Sequence, residues 1–314
     1  MNDAREPIVA ANGLTKRFAK VAAVDGLTFT VNRGEIFGLV GPDGAGKTTT
    51  MRMLAGVMQP DRGSILVDGI DVVADPEGGK PHLSYMPQRF GLYEELTVDE
   101  NIRFYADLFE VPNELREERA SQLLAASGMS QFRKRRAGQL SGGMKQKLGL
   151  TCALVHTPQI LLLDEPTTGV DPVSRRDFWR ILYGLREDGV TILITTAYLD
   201  EAERCNRLAL LHNGRVLYCD TPTALKARMP GVVVAISSDA GREVRAALTD
   251  LDGVSNAMLV GGGVHAVVDD AALRIPALRQ ALQRANIPFS DIAVATPSIE
   301  DVFVALLEDD GQKP

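Results

Sequence analysis

The chain has 314 residues, 45% hydrophobic and 24% charged, which is enough for more than one hydrophobic core. A net charge of −7 removes the general electrostatic footprint of a nucleic-acid binder. No apolar stretch approaches the ~20 residues needed to cross a bilayer, and "MNDAREPIVA" lacks the basic start and apolar core of a secretory signal, so the expected location is the cytoplasm. Cys152, Cys205 and Cys219 stand in no paired or metal-like spacing and are expected to be reduced thiols.

In chain order, "EIFGLV" (35–40) is a short apolar run ending in a glycine turn, and "KTTTMRMLAGVM" (47–58) carries apolar residues at helical spacing. "DVVADPEGGKP" (71–81) reads as a loop without assignable chemistry. Between 97 and 156, three helix-patterned segments follow one another with no strand between them, so this stretch is expected to be a helical insertion. "ILLL" (160–163) and "TILIT" (191–195) are buried-strand patterns, and "LALLHNGRVLYC" (208–219) reads as a hairpin turning on Asn-Gly. Continuous apolar strands separated by helices argue for a parallel sheet covered on both faces.

From about residue 226 the order becomes strand, helix, a hairpin around three glycines, helix despite Pro276, strand, helix. That β-α-β-β-α-β order predicts a small ferredoxin-like unit. Its last helix has Ser298 placed as an N-cap with Asp301 three residues on. The expected division is therefore 1–225 and 226–314, with "EDDGQKP" (308–314) expected to be disordered.

The chemistry sits in the first part. "GPDGAGKT" (Gly41, Pro42, Asp43, Gly44, Ala45, Gly46, Lys47, Thr48) follows a predicted strand and opens a predicted helix, the context in which G-x-x-x-x-G-K-[ST] holds phosphates. Inward N–H groups and the helix start form an anion cradle that Thr49 extends. Lys47 adds positive charge for the outer phosphates, and Thr48 offers a hydroxyl to Mg²⁺. In "ILLLDEP" the strand delivers Asp164 to its tip as a carboxylate for the Mg²⁺ shell. Glu165 follows as a general base for water. Alone, this pair would be ordinary solvated acids. "LSGGMKQ", with Ser141, Gly142, Gly143 and Gln146, sets a second anion-type helix start in the same domain. Two copies facing head to tail would each close over the other's nucleotide.

These motifs together resemble the ATP-binding subunit of an ABC transporter, over nearly the whole chain. The resemblance implies a P-loop NTPase fold of the ABC type, ATP and Mg²⁺ as ligands, and a second ATP-binding domain as partner. It implies that Gln88 in "MPQ" senses Mg²⁺ and faces a membrane subunit. Asp171 in "GVDP" would lie at the dimer seam, and Phe18 in "LTKRF" takes the place of the aromatic that stacks on adenine. As an ordinary core aromatic, Phe18 would be equally unremarked. "LYEELTVDEN" and "PSIEDVFVAL" resemble the ABC-2-type drug exporters, whose permease is a separate membrane chain and whose extra C-terminal domain serves dimerisation or regulation. The competing readings are a soluble ABC ATPase acting on another macromolecular complex and an ordinary P-loop kinase or GTPase. The absent long coiled coil and tandem domain weigh against the first, and "LSGGMKQ" against the second.

Two positions depart from that pattern. Asp43 stands where Asn is common, and a carboxylate near phosphates is unfavourable unless it points away or meets a cation. At the tip of the strand ending Thr195-Thr196, family members carry a switch histidine that contacts the γ-phosphate; here the residue is Ala197, and His82, His156, His212 and His265 lie elsewhere. Losing one preorganised transition-state donor slows chemistry ~10²–10³-fold, so the expectation is a site that binds ATP and hydrolyses it slowly. A heterodimer with a histidine-bearing partner would explain this, as would a homodimer in which Tyr198 or water fills the gap. "QFRKRRAG" (131–138) is expected to be a solvated helix end, with contact to acidic lipid or the permease as the other reading.

Overall fold

In the computed structural model, residues 7–249 and 251–309 are described, and they divide into two compact units, 1–220 and 221–314. The second unit thus starts at Thr221, five residues before the expected boundary, because the edge strand of the first unit runs on to Asp220. Of the tail expected to be disordered, Glu308 and Asp309 continue the last helix, and 310–314 lie outside the described residues.

The first unit begins with two long strands, β1 (Pro7–Phe18) and β2 (Val21–Asn32), then β3 (Ile36–Val40) and helix α1 (Lys47–Leu54). Next come β4 (Arg62–Val67), β5 (Ile70–Asp71), α2 (Pro76–Gly79) and β6 (Leu83–Met86). The helical stretch contains α3 (Val98–Leu108), α4 (Asn113–Ala126) and α5 (Gly142–Leu154). The unit closes with β7 (Ile160–Asp164), α6 (Pro172–Glu187), β8 (Thr191–Thr196), α7 (Leu199–Ala202) and the hairpin β9 (Arg207–His212) and β10 (Arg215–Asp220).

The central sheet has the order β10-β9-β3-β8-β7-β6, parallel throughout except at the β9–β10 edge. Strands β3, β7 and β8 are buried along their length, so successive residues feed different cores. Phe37, Leu39, Leu162 and Leu193 pack toward one side with α1. Ile36, Leu161, Leu163, Ile192 and Ile194 pack toward the other with α5 and α6. The predicted hairpin turns on Asn213 and Gly214, at φ 48° and 77°, the paired positive values of a type I′ turn.

Three features were not anticipated or differ. A separate antiparallel sheet, β2-β1-β4-β5, covers the α1 side of the central sheet, and Phe29 of β2 stacks on Phe37 of β3 at 5.4 Å. The predicted helix 47–58 stops at Leu54, where Gly56 turns the chain at φ 67°. The loop at 71–81 contains β5 and α2, the latter started by Asp75 accepting from Gly78 N, with Pro76 at the first position. The helical insertion holds its own core of Val98, Ile102, Leu124, Leu148 and Cys152. Burial pushes the Cys152 and Cys205 thiols up, and all three cysteines are free.

The second unit comprises α8 (Pro222–Lys226), β11 (Val232–Ser237), α9 (Gly241–Leu248), β12 (Val254–Val260), β13 (Gly263–Val268), α10 (Ala271–Arg284), β14 (Asp291–Val294) and α11 (Ile299–Asp309). The sheet order β12-β13-β11-β14, antiparallel at every pair, is the ferredoxin-like arrangement that the element order implies. Helix α10 runs through Pro276. Asp301 N donates to Ser298 Oγ at 3.1 Å while the Asp301 carboxylate accepts from Ser298 N at 2.7 Å, a reciprocal cap at the start of α11.

Candidate functional site

Strand β3, buried along its length, ends at Val40 and the chain turns through Gly41–Gly46 into α1. Gly46 is required twice over: its φ is 99°, and a Cβ there would sit 2.4 Å from Ala23 O. It gives α1 no side-chain cap, so the first N–H groups of the helix stay open to an anion. The Lys47 side chain is 4% exposed, and its Nζ donates to Gly41 O at 2.9 Å and Pro42 O at 3.0 Å and pairs with Glu165 Oε1 at 3.0 Å. The ammonium is thus held at the mouth of its own loop.

Strand β7 brings Asp164 to the same place. Thr48 Oγ1 and Thr195 Oγ1 both donate to Asp164 Oδ1, at 3.0 and 2.8 Å, and Tyr85 OH donates to Oδ2 at 3.3 Å. Burial, and then the neighbouring Asp164 charge, push the Tyr85 phenol up to about 12, which keeps it a donor. Glu165 adopts φ 47°, an uncommon value for a residue with a side chain. Its N–H donates to Thr195 Oγ1 at 2.8 Å, and its carboxylate accepts from Gln88 Nε2 at 3.0 Å.

These groups line a cleft of about 470 Å³ formed by Phe18, Ala23, Asp43, Gly44, Gly46, Lys47, Thr48, Thr49, Gln88 and Glu165. Phe18 is 47% exposed at its rim, so the core-aromatic reading is set aside. Asp43 lines the cleft as well. Mg²⁺ takes one or two protein oxygens and fills its remaining positions with water and substrate phosphates. A hydroxyl and a carboxylate 3.0 Å apart, Thr48 and Asp164, beside a phosphate-type loop fit that demand.

The second motif lies apart. Ser141 caps α5 by accepting from Met144 N at 3.4 Å, and Ser141 and Gly142 are exposed. Gly143 is buried against α6, where a Cβ would meet Ser174 at 2.5 Å. Asp171 caps α6, accepting from Val173 N at 3.1 Å and Ser174 N at 2.9 Å, and hydrogen bonds from Ser174 hold its carboxyl below the usual range. Ser141, Gly142, Gly143, Gln146 and Asp171 are absent from the lining of the Lys47 cleft.

At the tip of β8, Thr196 O accepts from Gly41 N at 3.4 Å, which ties the tip to the phosphate loop. Ala197 is exposed, and its methyl group does not line the cleft. Tyr198 does not fill the gap either, because its ring lies under the Arg175 guanidinium at 4.4 Å. The histidines are engaged elsewhere: His82 Nδ1 lies 2.9 Å from the Asp68 carboxylate, His156 stacks on Phe109, and His265 meets Asp301 at 3.0 Å. The basic run is not a helix end: it crosses two short 3₁₀ turns between α4 and α5, with Lys134, Arg135 and Arg136 exposed and Arg133 paired with Asp99 and Glu117 at 2.8 and 2.7 Å. Thr195, Tyr85 and Ala23 were missed from sequence. The paired threonines at the end of β8 were the available signal for Thr195.

A model of the ABC transporter family matches residues 24–168. A probable multidrug ABC transporter ATP-binding protein of Escherichia coli is 44% identical over 98% of this chain, which spans 53% of that relative's length. The daunorubicin resistance ATP-binding protein DrrA2 of Streptomyces coeruleorubidus is 34% identical, covering 95% of this chain and 94% of its own. Among solved structures, the ATP-binding subunit of an ABC transporter superposes with a TM-score of 0.64 at 32% identity, over 70% of this chain and 92% of its own.

Proposed function

Because the chain belongs to the ABC transporter family of ATP-binding proteins, we propose that it is the ATP-binding subunit of an ABC-2-type exporter whose own ATP site binds nucleotide well and hydrolyses it slowly. One observation carries this reading. Lys47, Thr48, Asp164, Glu165 and Gln88 converge in one cleft, while the β8 tip beside it ends in the methyl group of Ala197.

The division of labour follows from the geometry. The α1 start and Lys47 bind the outer phosphates, so an entering nucleotide replaces Glu165 and the loop carbonyls as the partner of Lys47. Glu165, released toward Gln88 and Thr168 (3.0 and 3.4 Å), is placed to take the proton of an attacking water. Thr48 and Asp164 would hold Mg²⁺, which when bound offsets charge on the phosphate oxygens. Phe18 offers a face to the adenine. The exposed Ser141 and Gly142 serve the nucleotide of a second ATP-binding domain, identical to this one or bearing the histidine.

The relatives named for multidrug transport and daunorubicin resistance support export as the direction. No helix among the described residues is long and apolar enough to cross a membrane; in this reading the permease is a separate partner and the chain works against it at the cytoplasmic face. A groove of about 630 Å³ that includes Ala55, Leu83 and Phe109, with Val57 and Leu108 exposed at 68% and 61%, suits a helix of that permease. The test is titration of the purified chain with ATP, with and without Mg²⁺. Tight binding that Mg²⁺ strengthens is expected, and failure to bind ATP would overturn the reading.

A further inference from the structure

Strand residues alternate in direction, and the last two residues of β8 use this to hold two different structures. Thr195 Oγ1 faces Asp164 and the Glu165 amide. Thr196 Oγ1 turns the other way and donates to Glu201 Oε2 at 2.9 Å, while accepting from Tyr198 N at 2.9 Å. Glu201, on α7, is fully buried and also accepts from Thr167 Oγ1 at 3.0 Å, three residues past Asp164. Its second oxygen, Oε1, lies 3.8 Å from Arg175 Nε, and neither atom has a hydrogen-bond partner. Arg175 is on the first turn of α6, which Asp171 caps.

A buried carboxylate is costly, and a buried polar cluster replaced whole by apolar residues is commonly as stable or more so. We propose that Glu201 is a positioning residue for the ATPase reaction, holding the 196–198 turn, the loop after Glu165 and the start of α6 in one register. The inference rests on the ATPase reading above. The turn at Ala197 is held by its flanks: Thr196 bonds Glu201 and the Tyr198 amide, and Tyr198 is covered by Arg175. The 196–198 turn, tied to the phosphate loop by Gly41 N donating to Thr196 O, therefore keeps its backbone whatever stands at 197. Misplacing a catalytic group by about 1 Å costs up to ~100-fold in rate without a matching loss of binding.

The test uses the full chain with Glu201→Leu and Glu201→Gln. Glu201→Gln keeps an oxygen for both threonines and is expected to retain most of the ATP turnover. Glu201→Leu is expected to lower kcat roughly 10- to 100-fold, with KM and the affinity for a non-hydrolysable ATP analogue little changed. Adding Ala197→His should then raise turnover in the Glu201 chain and not in Glu201→Leu. Hydrogen exchange at the Tyr198 amide should accelerate in Glu201→Leu whether or not the wild type turns over, so a chain with no ATPase activity counts against the proposed function and leaves this arm decisive. Unchanged turnover and exchange in Glu201→Leu, or a loss of rate that only follows weaker nucleotide binding, would overturn the proposal.

Discussion

Helix α1 starts behind a glycine that gives it no side-chain cap, whereas α5 starts behind Ser141, whose hydroxyl caps Met144 N. Around the first start the chain assembles a cation, two acids, a glutamine and an aromatic in one cleft. Around the second, Ser141 and Gly142 face outward and the packing neighbour is Ser174 of α6. Both starts can attract an anion by the same partial charge, and the first lies in a cleft of about 470 Å³ that the residues of the second do not line. A phosphate-type helix start becomes a site through what the rest of the fold brings to it. The proposed function makes the second start half of a site whose other half would come from another ATP-binding domain.

The sharpest way to break this contrast is to remove one group from each start. Lys47→Ala should weaken ATP binding by at least about tenfold, the scale of one hydrogen bond to a charged group, and it also strips Glu165 of its ion pair. Ser141→Ala should leave ATP binding by the isolated chain unchanged while lowering turnover in the assembled pair by roughly tenfold. Equal losses of binding in the two variants, measured by equilibrium titration, would mean that both starts belong to one site. A smaller effect is expected at the rim: Phe18→Ala should cost about 1 kcal/mol of ATP affinity, with a lesser loss for GTP if ring stacking discriminates the bases. No change with either nucleotide would remove Phe18 from the site.

The same contrast shows what could be read from the chain in advance. "GPDGAGKT", "LLLDEP" and "LSGGMKQ" are local motifs whose spacing encodes their conformation, and the hairpin at Asn213-Gly214 is likewise local. The antiparallel sheet was not legible, because β1 pairs with β2 and β4 through repeated register shifts and carries a polar glycine segment mid-strand. Its strands lack the clean alternation that a regular half-buried sheet imposes. Tyr85 and Glu201 were not legible either. Tyr85 reaches its partner across a long gap in sequence, and Glu201 is hidden within an acidic run, "YLDEAE", although it is fully buried. Conversely, Tyr198 sits beside the gap in sequence, and only its stacking under Arg175 removes it as a substitute for the histidine.

The central claim is that the chain's own site is complete for binding and deficient for chemistry at one position. It is tested most directly by comparing ATP turnover and ATP affinity of the purified full chain with those of Ala197→His. The account predicts slow turnover in the wild type and a gain of ~10²-fold or more in Ala197→His, the scale of one restored transition-state donor, with affinity little changed. Brisk wild-type turnover that histidine does not raise would contradict it.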